Sequence, residues 1–387
     1  MNRPRRLSLV ATVAVVVSAF AVSPGPIHAQ APAKPPTVNS PTANSKKWVV
    51  PRTPDGKPDL QGNWTNETQT PLERMTPGGA TLTDEQAAAI EKRAQLVEEF
   101  RDKQSDPNRP VPPVGGESGK LAAPGDPSFI ERISEAAGGA VGGYNGFWLD
   151  PGAKVIRIDG VARSSILIDP PNGRMPALTD AGKKRLAEAA ARNRKFGEFD
   201  NPENRPLADR CLVSFGANAG PPMLPNYFYN NNYTIVQSKD TVMILTEMVH
   251  DVRIVRLNDT THPPAHIKKW FGDSIGHWEG DTLVVETTNI LPTQLEQTSI
   301  LWPYRGASEN LKVTERFTRT GPDTIVYRFT MDDPETYTAS VTGELPFTRI
   351  DEQIYEYACH EGNYAISNML SGERSKEREA AQKKPQQ

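Results

Sequence analysis

The chain has 387 residues, with 44 basic and 47 acidic side chains and a formal net charge of −3. That balance argues against nonspecific nucleic-acid binding, which requires a basic face. Two cysteines and six histidines limit the material for a thiol or metal site.

Arg3, Arg5 and Arg6, the apolar run Leu7 to Val22 and the small-residue end Ile27-His28-Ala29 read as a signal peptide over residues 1–29. The apolar run is about 16 residues, short of the roughly 20 that span a bilayer. The expectation is a periplasmic or secreted protein with no stable membrane insertion after cleavage. Cleavage removes three arginines and no acid, taking the net charge from −3 to −6. Residues 30–47 lack apolar periodicity and read as a disordered leader. Residues 48–370 are expected to form a single β-rich domain with helical insertions, and 371–387 a flexible charged tail.

From Pro51 to Asp59 turn formers dominate, so an irregular arm leads to a buried Trp64. Thr83 and Gln86 form a capping box for a helix reaching about Phe100. Residues 105–127 are rich in Pro and Gly and read as a long loop or lid. Lys154–Ile158 and Ser164–Ile168 flank Asp159-Gly160, a hairpin signal. A second helix is expected over Thr179–Lys195, with a basic end suited to the helix dipole.

Strands then follow closely: Tyr233–Gln237, Thr241–Met248, Val252–Leu257, Thr282–Thr288, Leu311–Arg319, Thr324–Met331, Thr338–Glu344 and Gln353–Ala358. The fold class is mainly β: an antiparallel barrel or curved sandwich, lipocalin-like, with peripheral helices. In Leu311–Phe317 the apolar face carries Glu315. A carboxylate there needs either a salt-bridge partner or a wet lumen in which to bind ligand.

Cys211 and Cys359 form an even pair, which suggests one disulfide in an oxidising compartment. Such a bond brings His360 and Glu361 near Asp209-Arg210-Cys211. His250-Asp251 ends a strand, where His offers proton transfer near neutrality. It is equally a surface turn before Arg253. His277 and Glu279 share one face of an extended strand. They suit an acid–base pair or two metal ligands, or else the outer face over Trp278. His262 and His266 lie on either side of Pro263-Pro264, which disfavours the helix that would align them.

Tyr227 and Tyr229, interleaved with asparagines, suit stacking on a sugar or packing in a loop. Phosphate-loop, dinucleotide, nucleophile-elbow and His-Glu-x-x-His motifs are absent from the sequence.

Several segments resemble a large group of secreted bacterial proteins: Arg52-Thr53-Pro54-Asp55-Gly56-Lys57-Pro58-Asp59-Leu60 with Gly62-Asn63-Trp64; Met248-Val249-His250-Asp251; Gly276-His277-Trp278-Glu279-Gly280-Asp281-Thr282-Leu283-Val284-Val285; and Tyr355-Glu356-Tyr357-Ala358-Cys359-His360-Glu361-Gly362-Asn363-Tyr364. The resemblance spans most of residues 48–365 and departs at Asn63, Ile275 and Ile290. It implies kinship without a reaction or a catalytic residue set.

The residues themselves suggest a cofactor-independent enzyme acting on a small molecule or carbohydrate. His250, His277 and His360 would move protons, Asp251, Glu279 and Glu361 would orient them, and Arg253 would steady an anionic group. A carrier with a ligand-filled β-cavity is the alternative. Convergence of the three histidines in one pocket separates the two.

Overall fold

Nine strands close into a barrel with one parallel step. The computed structural model describes residues 48–75, 78–101, 149–295 and 306–383. The expected signal peptide, leader and 105–127 loop lie outside these residues. The barrel strands are β1 (Gly62–Thr65), β5 (Asn232–Gln237), β6 (Thr241–Thr246), β7 (Val252–Arg256), β8 (Asp273–Glu279), β9 (Thr282–Thr288), β10 (Lys312–Gly321), β11 (Thr324–Asp332) and β12 (Val341–Ile350). They neighbour one another in that order. β1 closes the ring, pairing Asn63 with Thr234 on one side and Ile350 on the other. β4 (Leu167–Asp169) adds to β12 at Thr342 and Gly343. The antiparallel expectation fails at one place: β7 and β8 run parallel, in register at Val255–Ser274 and Arg256–Ile275. The long connection at 257–272 permits this, because a parallel pair needs a crossover rather than a tight hairpin.

Alternation along each strand builds the interior. Val313, Glu315 and Phe317 from β10 face Tyr327 and Phe329 from β11, and all are fully buried. Tyr233 stacks on Phe347 at 5.1 Å, and Phe317 meets Tyr327 at 5.0 Å. With Trp64 and Leu60 these rings fill the inside, so the barrel is a packed core like those of other narrow barrels. Gly343 is required there, since a Cβ would stand 2.3 Å from the Phe329 ring.

The arm before β1 closes one end of the barrel. Asp59 carbonyl accepts from Arg319 Nη1 at 2.6 Å, Leu60 N–H donates to Gln237 at 2.8 Å, and Arg52 pairs with Asp281 of the β8–β9 turn at 2.8 Å. Asparagine-rich loops at 211–231 cover the other end.

The short hairpin β2 (Arg157–Ile158) and β3 (Val161–Ala162) turns through Asp159 and Gly160, with φ of 51° and 79°. Both positive values are those of the type I′ turn that Asp-Gly favours. The capping box of α1 (Asp84–Arg101) forms reciprocally: Gln86 N–H donates to Thr83 Oγ1 at 3.2 Å and Thr83 N–H to Gln86 Oε1 at 2.9 Å. Thr179 Oγ1 caps α2 (Asp180–Lys195) by accepting from Gly182 N–H at 3.1 Å. A four-residue helix, α3, spans Pro292–Leu295.

Two expectations need correction. Gln353–Ala358 is not a strand, because its segment leaves the barrel to reach the disulfide. The charged tail expected to be flexible over 371–387 lies, as far as Lys383, in α4 (Ala365–Lys383). Its strong helix formers are joined by pairs such as Arg374–Glu377 and Lys376–Glu373. Among the described residues no helix is long and apolar enough to cross a membrane.

Candidate functional site

The turn between β6 and β7 is built against local preference. Val249 has φ 63° and ψ 14°, and His250 has φ 47°. A β-branched residue rarely enters this left-handed region, and each such residue costs about 1–3 kcal/mol. Tertiary packing holds the turn in place. Met248 is fully buried, and its sulfur accepts from Ser214 Oγ at 3.1 Å. Glu247 N–H donates to Asn232 carbonyl at 3.0 Å and His250 N–H to Glu247 carbonyl at 3.1 Å. The turn thereby buries its two apolar residues and leaves His250 exposed.

A strap at 351–364 lies across this turn. The Cys211–Cys359 disulfide anchors it, and Asn363 Nδ2 donates to Cys211 sulfur at 3.1 Å. The expected disulfide is therefore present. Tyr357 carbonyl lies 3.0 Å from His250 Nδ1. A carbonyl can only accept, so Nδ1 carries the proton and neutral His250 has its lone pair at Nε2. Among the described residues no hydrogen bond reaches Nε2. The Tyr357 hydroxyl is pushed up to about 12, first by burial and then by Tyr229 beside it.

Between strap and barrel lies a cleft of about 350 Å³, lined by His250, Glu247, Asn63, Thr234, Leu245 and Thr246, and by Gln353 to Glu356. Glu247 is only 7 % exposed, and its Oε2 accepts from Asn232 Nδ2 at 2.9 Å.

Asp251 immediately precedes β7 in extended conformation, in phase with the inward-facing Arg253 and Val255. Burial raises its carboxyl to about 7, partly opposed by His250. Its Oδ2 has no hydrogen-bond partner among the described residues. His250 and Asp251 thus interact through space while presenting to different surroundings.

The other anticipated residues scatter. His277 Nε2 bonds Glu279 at 3.1 Å, and Glu279 pairs with Arg316 at 2.5 Å. Both His277 and Glu279 are exposed on the outer face, and Arg316 holds the Glu279 carboxyl below its usual range, with His277 adding to the effect. The β7–β8 register puts His277 level with Asn258, eight positions beyond His250. At about 3.3 Å per residue that is roughly 26 Å. His250 and His277 belong to opposite ends of the barrel and do not share a pocket.

His360 and Glu361 lie exposed beside the disulfide, on the strap but outside the cleft lining.

Arg253 and Glu315 are not open to ligand. Arg253 Nη1 and Nη2 donate to the two Glu315 oxygens at 2.7 and 3.0 Å, and Tyr327 hydroxyl donates to Oε1 at 2.7 Å. Glu315 is the structural salt-bridge partner of Arg253, not a lumen carboxylate. Tyr227 is committed to packing: its hydroxyl donates to Thr70 carbonyl at 3.1 Å. Tyr229 packs edge-on to Phe215 at 5.7 Å and Phe228 at 6.5 Å.

His262 Nδ1 sits 2.9 Å from Asp273, which also takes Lys269 at 2.7 Å and Arg256 at 2.6 Å. Among the described residues no group of three or more His, Cys, Asp or Glu could hold a metal ion.

Sequence reading missed Glu247, Gln353, Tyr355 and Glu356 as site residues. Glu247 had a local signal, an acid just past an apolar strand and three residues before a histidine. The strap residues had none, because contacts between distant segments hold them at the barrel: the disulfide, the Tyr357 carbonyl on His250 and the Glu352 carbonyl on Asn63 Nδ2. No family model, curated protein or solved structure matches this chain.

Proposed function

We propose that this is an exported enzyme acting on a small polar molecule of carbohydrate type, with His250 as its proton-transfer residue. The observation that carries the reading is the Tyr357 carbonyl on His250 Nδ1, which leaves the basic Nε2 beside the cleft. The left-handed backbone at Val249 and His250 supports it, since strain of this kind gathers at working sites.

In this reading Nε2 takes a proton from a bound hydroxyl or water, Asp251 steadies the imidazolium through space, and Glu247 or Glu356 receives a substrate hydroxyl. The lining suits such a ligand: carboxylates, amides and threonine hydroxyls offer hydrogen bonds, and Leu245, Ile354 and Tyr355 offer apolar contact. No cofactor is invoked. Export to the periplasm or beyond is supported by the N-terminal sequence and agrees with the disulfide. The resemblance to secreted bacterial proteins adds kinship but no reaction.

The carrier alternative draws less support from the barrel interior, which among the described residues is filled by aromatic side chains. The test is turnover of glycosides, lactones and esters by the mature protein, with His250→Ala as control. Loss of activity with an unchanged fold supports the assignment. Full activity in His250→Ala refutes it, and saturable binding with no turnover of any substrate points to a non-catalytic binding protein.

A further inference from the structure

The cleft has a one-sided charge. Among the described residues its acidic and basic lining consists of Glu247, Glu356 and His250, with no lysine or arginine. The strap continues this bias, with Asp351, Glu352, Glu356 and Glu361 and no basic residue except His360 between 351 and 361. Acid on an exposed strap is ordinary, because water solvates it, and Asp351 also has Arg349 at 3.7 Å. Glu247 is different, being 7 % exposed.

Four other carboxylates are as deeply buried as Glu247, and each is compensated. Glu315 has Arg253, Asp273 has Arg256 and Lys269, and Glu344 has Arg328 and Arg163. Asp333 has two donors from Ser308, its N–H at 2.6 Å and its hydroxyl at 2.8 Å. Among the described residues Glu247 has a single neutral donor, Asn232 Nδ2. A mostly buried carboxylate that faces a cleft gains from a cation with which it can make a charge-assisted hydrogen bond. Tyr355, 73 % exposed on the cleft wall, adds a ring face that attracts a cation more than it does an anion.

From these features we infer that the cleft selects a cationic ligand: a polyhydroxylated amine of monosaccharide size, its ammonium on Glu247. The inference rests on the cleft proposed above as the working site and names the charge class that the site accepts. An anionic sugar is rejected by Glu247 and Glu356 together. A neutral one lacks the partner that Glu247 needs.

The experiment compares D-glucosamine, D-glucose and D-glucuronate as ligands of the mature protein, by calorimetry and by NMR shifts of residues 247, 250 and 355. Glucosamine is expected to bind about tenfold more tightly than glucose, with glucuronate weakest, in keeping with one added charge-assisted contact. Glu247→Gln keeps the shape of the side chain and should remove the preference while leaving the thermal midpoint near that of the parent.

Equal binding of glucosamine and glucose at these residues, or stronger binding of glucuronate, overturns the charge inference and leaves the cleft standing as a site. Absence of binding by all three overturns the inference and removes support from the sugar-type reading as well. A glucosamine preference that survives in Glu247→Gln overturns the role given to Glu247. Turnover is not needed for any of these outcomes, so failure of the His250 mechanism is read separately.

Discussion

Arg253 of β7 and Glu315 of β10 form a two-point ion pair inside the barrel, at 2.7 and 3.0 Å, although two strands separate them in the wall. Tyr327 hydroxyl completes the shell of Glu315 and accepts in turn from Met223 N–H at 2.9 Å. The pair thus ties the two sides of the barrel to the loop that covers its end.

Breaking this pair from one side leaves a buried charge uncompensated. Glu315→Ala or Arg253→Ala should lower stability by about 3–5 kcal/mol, whereas the double change Arg253→Met with Glu315→Leu should fall much closer to the parent. Denaturant unfolding of the three variants checks this. Equal losses in the single and double variants would show that shape rather than charge dominates.

Loss of the disulfide acts on stability and on the cleft. The bond spans 148 positions, and the chain-entropy model gives about 5 kcal/mol for a loop of that length. Cys211→Ser with Cys359→Ser should approach that loss in stability. It should also weaken cleft ligands, because the strap carrying Gln353 to Glu356 loses its anchor. Ligand affinity equal to the parent's in the folded variant would rule out a role for the anchor in shaping the cleft.

His250 gives a test in which function and stability move apart. Glycine accepts φ of 47° without strain, which offsets loss of the Tyr357 hydrogen bond. His250→Gly should remain within about 1 kcal/mol of the parent, while turnover drops about 10²–10⁴-fold. His277→Ala supplies the contrast. Its partners are exposed, so stability should shift by no more than about 0.5 kcal/mol and turnover should be unchanged.

The response to pH follows from two half-buried carboxyls. Burial raises Asp251 to about 7, and burial followed by the charge of Asp150 raises Glu67 to about 8. Between the ordinary carboxyl range and these values the folded chain holds protons that the unfolded chain has released. Their contribution is therefore complete at low pH and is lost as pH rises through about 7 and 8. The thermal midpoint should fall over that interval, and Asp251→Asn and Glu67→Gln should each flatten the fall. A midpoint that rises from pH 5 to 8 in the parent, and equally in both variants, would contradict the assignment.

The sequence alone determined the elements whose causes are local. Alternation of apolar side chains marked β5, β6, β9, β10 and β11 closely, because a strand with one face in the core needs that period. Thr83, Gln86 and Thr179 marked the helix starts through hydrogen bonds that span three residues. Asp159-Gly160 marked a turn through the φ values it tolerates. The cysteine pair marked the disulfide by count and compartment.

Tertiary structure decided what depends on distant partners. Closure of β12 onto β1 and the parallel meeting of β7 with β8 leave no trace in a local period. Nor does the pairing of Arg253 with Glu315, which are 62 positions apart. The same holds for function. His277 and Glu279 looked like a site because they share a strand face, yet that face is the outside of the barrel. Glu247 and His250 came together as a candidate site only when a strap some hundred residues later was fastened across them. Proton-transfer chemistry depends on which groups meet and which face water, and only the fold sets both.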